Sequence, residues 1–322
     1  GGFFITAKAH LTVMEYWRWW VVHLWVEGFF EVFATAALSL IFARMGLVKP
    51  SHAGAAVLAS SALFLFAGIP GTFHHLYFSG TPTSIMAVGA SSSALEVVPL
   101  VLIGFGAYQT SRLQQAATWM RRYRWPVPFF VGVAFWNLVG AGLFGFLINP
   151  PIGLYFMQGL NTTPVHGHTA LFGVYGMLGI GLMLFCLRGL SGQQQWKSRL
   201  LACSFWSMNV GLVLMVVLSL LPVGALQTWA SVEHGMWYAR SAEFMQTALM
   251  NNLRWLRFIG DTIFAFGIVG LAWFVLGLKT GWAIERGERK PEREKSPVTL
   301  SSPAPTATQR VLPRCRRSSS QV

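Results

Sequence analysis

Seven times along this chain of 322 residues an apolar run reaches the length that a helix needs to cross a bilayer, and that repetition restricts the fold more than any other feature. The runs extend roughly from Trp19 to Ala43, Ala53 to Phe78, Ile85 to Tyr108, Val127 to Ile148, Val165 to Leu187, Leu200 to Leu221 and Phe258 to Leu278. About 20 apolar residues suffice for one crossing. Lipid offers no hydrogen-bond partners, so each run must satisfy its own backbone as a helix. The expected fold class is therefore an all-α membrane protein, a seven-span helical bundle. With 54% hydrophobic and only 11% charged residues, the chain is too apolar for an ordinary soluble domain.

Charge then sets the topology. The connections after the first, third and fifth runs carry Arg44 and Lys49, then Arg112, Arg121, Arg122 and Arg124, then Arg188, Lys197 and Arg199, whereas those after the second and fourth carry no Lys or Arg. Basic loops face the cytoplasm. The first span accordingly begins outside, and the tail from Arg286 to Arg317 lies inside. The formal charge of +13 belongs to this topology and not to nucleic-acid binding. Residues 1–282 are expected to form the membrane bundle and 283–322, rich in Pro, Ser, Thr and Arg, a disordered basic cytoplasmic tail. The connection from Pro222 to Ile259 has mixed charges and aromatic residues, which predicts an interfacial helix on the outer surface. Tryptophans 17, 19, 20 and 25 read as an interfacial belt. Cys186, Cys203 and Cys315 have no paired spacing and read as apolar filler. The chain opens on Gly1-Gly2 without an initiator Met or a signal peptide, and the expectation is the C-terminal part of a longer protein.

Within the runs, ionisable residues are rare enough for each to need a reason. His23, Glu27 and Glu31 follow at i, i+4 and i+8 on nearly one helical stripe of the first span. The alternating orientation brings His74 and His75, near the outer end of the second span, and His166 and His168, near the outer start of the fifth, to the same depth as His23. Adjacent histidines on a regular helix point about 100° apart. His74 and His75 can share one ion only if the backbone departs from ideal geometry, and Pro70-Gly71 supplies the means. His166 and His168 lie about 200° apart around the axis and must leave opposite faces of their helix, each able to take an axial position on a separate flat cofactor. Three imidazoles alone suit copper or zinc; adding the carboxylate of Glu27 shifts the preference towards iron. Glu31 and Glu96 are further acids in the apolar layer, either proton carriers or hydrogen-bond partners of a ligand imidazole.

The stretches WRWWVVHLWVEGFFEVF at 17–33, GIPGTFHHLYFSG at 68–80, SSSALEVVPL at 91–100 and TTPVHGHTALFGVYG at 162–176, with VEHGMWYARSAEF at 232–244 and LRWLRFIGD at 253–261, resemble the catalytic subunit of bacterial nitric oxide reductases, in the haem-copper oxidase superfamily. The resemblance implies part of the haem-copper oxidase fold, its C-terminal half. It makes His23, His74, His75 and Glu27 ligands of a non-haem iron. His166 becomes the axial ligand of a high-spin haem b, and His168 one of two axial ligands of a low-spin haem b whose second ligand lies outside this chain. Glu31 and Glu96 match acids that shape the site and deliver protons. Arg254 and Arg257, on one face of LRWLR, either clamp haem propionates or snorkel to the interface. The implied reaction reduces two NO to N2O and water with two electrons and two protons, in the bacterial inner membrane, with the site near the periplasmic side. Quinol is favoured over cytochrome c as donor, because no C-x-x-C-H motif is present. A missing N-terminal half or a partner subunit is implied as well. Two alternatives remain at this point: a cytochrome oxidase reducing O2, and a non-catalytic haem-binding remnant. The oxidases carry a tyrosine four residues after the first histidine, where this sequence has Glu27.

Overall fold

The computed structural model describes residues 5–113, 123–191 and 194–285. Among the described residues, seven helices are long and apolar enough to cross a membrane: Leu11–Arg44, Pro50–His75, Thr83–Ser111, Pro126–Ile148, Thr162–Leu190, Ser198–His234 and Ala248–Thr280. Six of the seven expected runs fall within these bounds. The second stops at His75, three residues short of the expected Phe78, which adopts a positive φ of 55° as the chain turns. The protein is a multi-pass membrane protein. Side chains such as Phe66 and Leu58 on the second span lie largely exposed, as on a surface that meets lipid or further helices.

Burial alone does not drive helices together in lipid, so close backbone packing must. The sixth and seventh spans achieve it through glycine. A Cβ on Gly211 would lie 2.6 Å from the Phe264 backbone nitrogen, and one on Gly260 would lie 2.4 Å from that of Met215. No other residue fits at either contact.

Among the described residues, five spans contain π-helical turns. Wider π-helical segments interrupt them at Leu24–Phe29, Phe64–Gly68, Asn137–Phe144, Leu171–Gly176 and Val216–Leu220. Such a segment changes the angular phase of the side chains that follow, and it occurs most often at functional sites.

The connection after Leu221 departs from expectation. The sixth helix does not end there but continues as Leu221–His234, because Pro222 falls in the first turn after the π segment, where its missing N–H costs little. Gly235, at φ 89°, ends it, and the short helices Met236–Arg240, Ala242–Met245 and Ala248–Trp255 follow. Only the last corresponds to the expected interfacial helix, and it leads into Arg257–Thr280. Gln227, buried, ties this region together. Its side-chain oxygen accepts from the backbone and side-chain nitrogens of Asn161 at 2.9 and 2.8 Å, and its amide donates to the Ala239 carbonyl at 3.1 Å.

At the opposite end, Gln195–Trp196 pairs antiparallel with Ile284–Glu285, and Lys197 N donates to the Ala283 carbonyl at 2.8 Å. The connection after the fifth span and the segment after the seventh therefore share one end, as an alternating bundle requires. Ala283 is fully buried, so the folded chain runs through Glu285, past the boundary expected at residue 282. Residues 286–322 of the expected tail lie outside the described residues, as do Arg121 and Arg122.

Candidate metal centre

The first span delivers His23 at the end of the α-helix Leu11–His23 and Glu27 within the π segment that follows. The second span passes through a π segment, the short helix Ile69–Gly71 containing Pro70, and a 3₁₀ turn at Thr72–His75. That departure from ideal geometry is the one the adjacent histidines needed, and it brings the two rings to 4.0 Å between centroids.

The four side chains converge. One ligand atom from each of His23, Glu27, His74 and His75 lies within 4.8 Å of all the others. Glu27 Oε2 is 3.0 Å from His23 Nδ1 and 3.8 Å from His74 Nε2; its Oε1 is 3.2 Å from His75 Nε2, and the last is 3.1 Å from His23 Nδ1. Four ligands on bonds of about 2.1 Å around one ion stand about 3.4 Å apart. The cluster therefore has the size of a coordination shell. Its proton arrangement fits too: His23 Nε2 donates to the Gly68 carbonyl at 3.0 Å, so a neutral His23 turns its Nδ1 lone pair towards the carboxylate. Two acceptors face each other there unless a cation lies between them. Among the described residues this is the one group that could hold a metal ion.

Glu27 also lines a cavity of about 190 Å³, together with Glu31, Ser93, Glu96, His166 and Tyr175. His166 Nδ1 donates to the Gly140 carbonyl at 2.9 Å, which leaves Nε2 as an acceptor. A side chain at Gly145 would come to 3.0 Å from His166 Cε1, so the glycine is needed for the ring to sit here. An imidazole with a free lone pair beside a cavity fits an axial haem ligand. His168 uses Nδ1 to donate to the Pro164 carbonyl at 2.8 Å, and its Nε2 accepts from Arg257 Nη2 at 2.9 Å. It packs towards the seventh span and away from the cavity, as the opposite-face reading required, with a guanidinium at the nitrogen that a cationic iron would use.

Glu31 makes no hydrogen bond to an imidazole, one of the two roles open to it; its Oε1 accepts from Asn137 Nδ2 at 3.0 Å. One expectation needs correction. Arg254 and Arg257 do not act as one face, since the helix breaks between Trp255 and Arg257. Arg257 pairs with Asp261 at 3.1 Å and reaches His168, whereas Arg254 lies 3.5 Å from the Met245 carbonyl. Trp19 stacks on His75, with centroids 4.1 Å apart and planes within 5°.

Sequence reasoning missed Asn137, Tyr175 and Ser93. Tyr175 donates to the Val26 carbonyl at 2.8 Å, and Ser93 to Glu27 Oε2 at 3.4 Å. A lone amide in an otherwise apolar fourth span was the available signal for Asn137.

Comparison with known sequences agrees with the geometry. Residues 1–263 match the family Cytochrome C and Quinol oxidase polypeptide I. The chain belongs to that family. Its members form the haem-copper oxidase superfamily to which the sequence motifs pointed, and the seven helical spans accord with that fold. A curated relative, a subunit of the nitric oxide reductase of Stutzerimonas stutzeri, is 30% identical over 260 residues, covering 79% of this chain and 53% of the relative. The chain thus spans about half the length of that relative.

Proposed function

We propose that this chain carries the catalytic core of a nitric oxide reductase, an oxidoreductase that joins two NO and, with two electrons and two protons, forms N2O and water. The observation that carries the reading is the fourth corner of the cluster: a carboxylate, Glu27, at 3.0 and 3.2 Å from two imidazole nitrogens, where oxidases of the superfamily place a tyrosine in the sequence. A hard oxygen ligand beside three imidazoles favours iron over copper. The relative's name supports the same substrate.

In this reading His23, Glu27, His74 and His75 hold a non-haem iron. His166 holds a high-spin haem b, and His168 a low-spin haem b together with a ligand from outside this chain. When bound, these groups would supply electrons and Lewis acidity. The chain's own residues confine the substrate. The cavity bounded by Glu27 and His166 brings two reactants into one small volume, which replaces a bimolecular encounter by proximity. Glu31 and Glu96 line that cavity and hold the protons the reaction consumes. Tyr175 and Trp19 hold the backbone of the first span and the His75 ring in place. Arg257, which here meets His168 and Asp261, would hold a haem propionate. Quinol is the favoured donor, the site lies towards the periplasm, and the C-terminus lies in the cytoplasm of a bacterial inner membrane.

The test is anaerobic NO consumption by the full-length product in membranes. The reading predicts turnover that disappears when His74 and His75 are changed to Ala. A rate no higher than that variant's defeats it, and O2 reduction in its place assigns the protein to the oxidases.

A further inference from the structure

Asn137 ties Glu31, on the acid side of the cavity, to the scaffold. It is fully buried and stands where the fourth span passes from the α-helix Pro126–Trp136 into the π segment Asn137–Phe144. Burying an amide costs about 1–3 kcal/mol unless it is hydrogen-bonded, so a purely apolar helix has no use for it. Its Nδ2 donates to Glu31 Oε1 at 3.0 Å and to the Val97 carbonyl at 3.1 Å. A carbonyl oxygen can only accept, so the NH2 group is the end facing Val97, and the same nitrogen reaches Glu31.

Val97 separates the helices Thr83–Glu96 and Val98–Leu113 and immediately follows Glu96. One side chain thus links the Glu31 carboxyl on the first span to the backbone beside Glu96 on the third. The neighbouring turns anchor Asn137 in both directions. Trp136 Nε1 donates to Asn209 Oδ1 at 2.9 Å on the sixth span, and three residues further on the Gly140 carbonyl receives His166 Nδ1. The stretch 136–140 of the fourth span therefore contacts groups on the first, third, fifth and sixth spans.

We propose that Asn137 is a positioning residue that aims the Glu31 carboxyl into the cavity and fixes its placement relative to Glu96. For the role of Glu31 in NO turnover this rests on the function proposed above; for the geometry of Glu31 it does not. Without the amide, Glu31 keeps its place in the chain but loses the donor that sets its rotamer.

The experiment uses the full-length, haem-loaded protein with Asn137→Leu, Asn137→Asp and Glu31→Gln, singly and with Asn137→Leu and Glu31→Gln combined. The infrared band of Glu31 is the one lost in Glu31→Gln. We expect it to shift in both Asn137 variants while haem and iron contents stay at wild-type levels. NO turnover should fall about ten-fold in Asn137→Leu, with no further fall when it is combined with Glu31→Gln, because both changes remove one function. If Asn137→Leu does not fold, Asn137→Asp, of the same shape but with at most one donor, carries the band test. An unmoved Glu31 band, or losses that multiply in the double variant, overturns the proposal. A shifted band in a protein that does not reduce NO leaves the positioning role standing and removes the proposed function.

Discussion

Changing Gly71 to Ala adds one methyl group that binds nothing, yet it should empty the metal centre. The added Cβ would lie 2.8 Å from His23 Nε2, and ordinary contact begins at 3.4 Å, so the imidazole must retreat by about 0.6 Å. It cannot retreat freely. Nε2 is held by the Gly68 carbonyl at 3.0 Å on one side, and Nδ1 stands 3.0 Å from Glu27 and 3.1 Å from His75 on the other. Metal–ligand distances tolerate about 0.2 Å, so a shift of this size removes one of the four ligands. Forcing a methyl group into a packed site costs about 1–3 kcal/mol, of the same order as the 10–100-fold affinity loss typical when a group supporting a metal ligand is removed. The assay is iron and haem content of the purified full-length protein. Gly179→Ala serves as the control, because a Cβ there meets nothing within 4 Å. We expect Gly71→Ala to lose most non-haem iron while keeping haem, and Gly179→Ala to lose neither. Wild-type iron in Gly71→Ala would refute the reasoning, since the close contact would then have no bearing on the cluster.

Three further outcomes rest on individual contacts. Tyr175→Phe removes the donor to the Val26 carbonyl and should lower stability by about 1 kcal/mol, read as a lower midpoint of thermal inactivation in detergent with iron retained. Gln227→Leu removes the partner of the Asn161 backbone at the start of the helix bearing His166 and His168; it should change the electron paramagnetic resonance of the haems before it changes total haem, and an unaltered spectrum would show that Gln227 is structurally remote. Gly260→Ala drives a methyl group to 2.4 Å from a backbone nitrogen that cannot step aside, so the sixth and seventh spans must part, with a loss above about 3 kcal/mol seen as poor recovery of folded protein.

The large features of this molecule are legible in its sequence because lipid makes them so. Apolar length alone locates the seven helices, and the expense of ionisable groups in hydrocarbon marks His23, Glu27, His74 and His75 before any geometry is known. The need for a backbone irregularity between Pro70 and His75 was visible as well, since adjacent histidines on a regular helix cannot meet. What sequence does not reveal is hydrogen-bond register. No composition distinguishes Leu24–Phe29 as π-helical, or tells that Glu27 within it meets the imidazoles while Glu31 meets Asn137. Trp19 shows a related limit: its type fits an interfacial belt, and only its position one turn before His23 hints at the ring it covers. Pro222 misled in the other direction, because a preceding π segment lets the sixth helix continue past it.

X-ray absorption at the iron and copper edges of the purified full-length protein tests the central claim most directly. The expected result is a non-haem iron with imidazole nitrogen and carboxylate oxygen neighbours, the oxygen signal lost in Glu27→Ala. Copper in equal amount to haem, or an iron environment unchanged by Glu27→Ala, would contradict it.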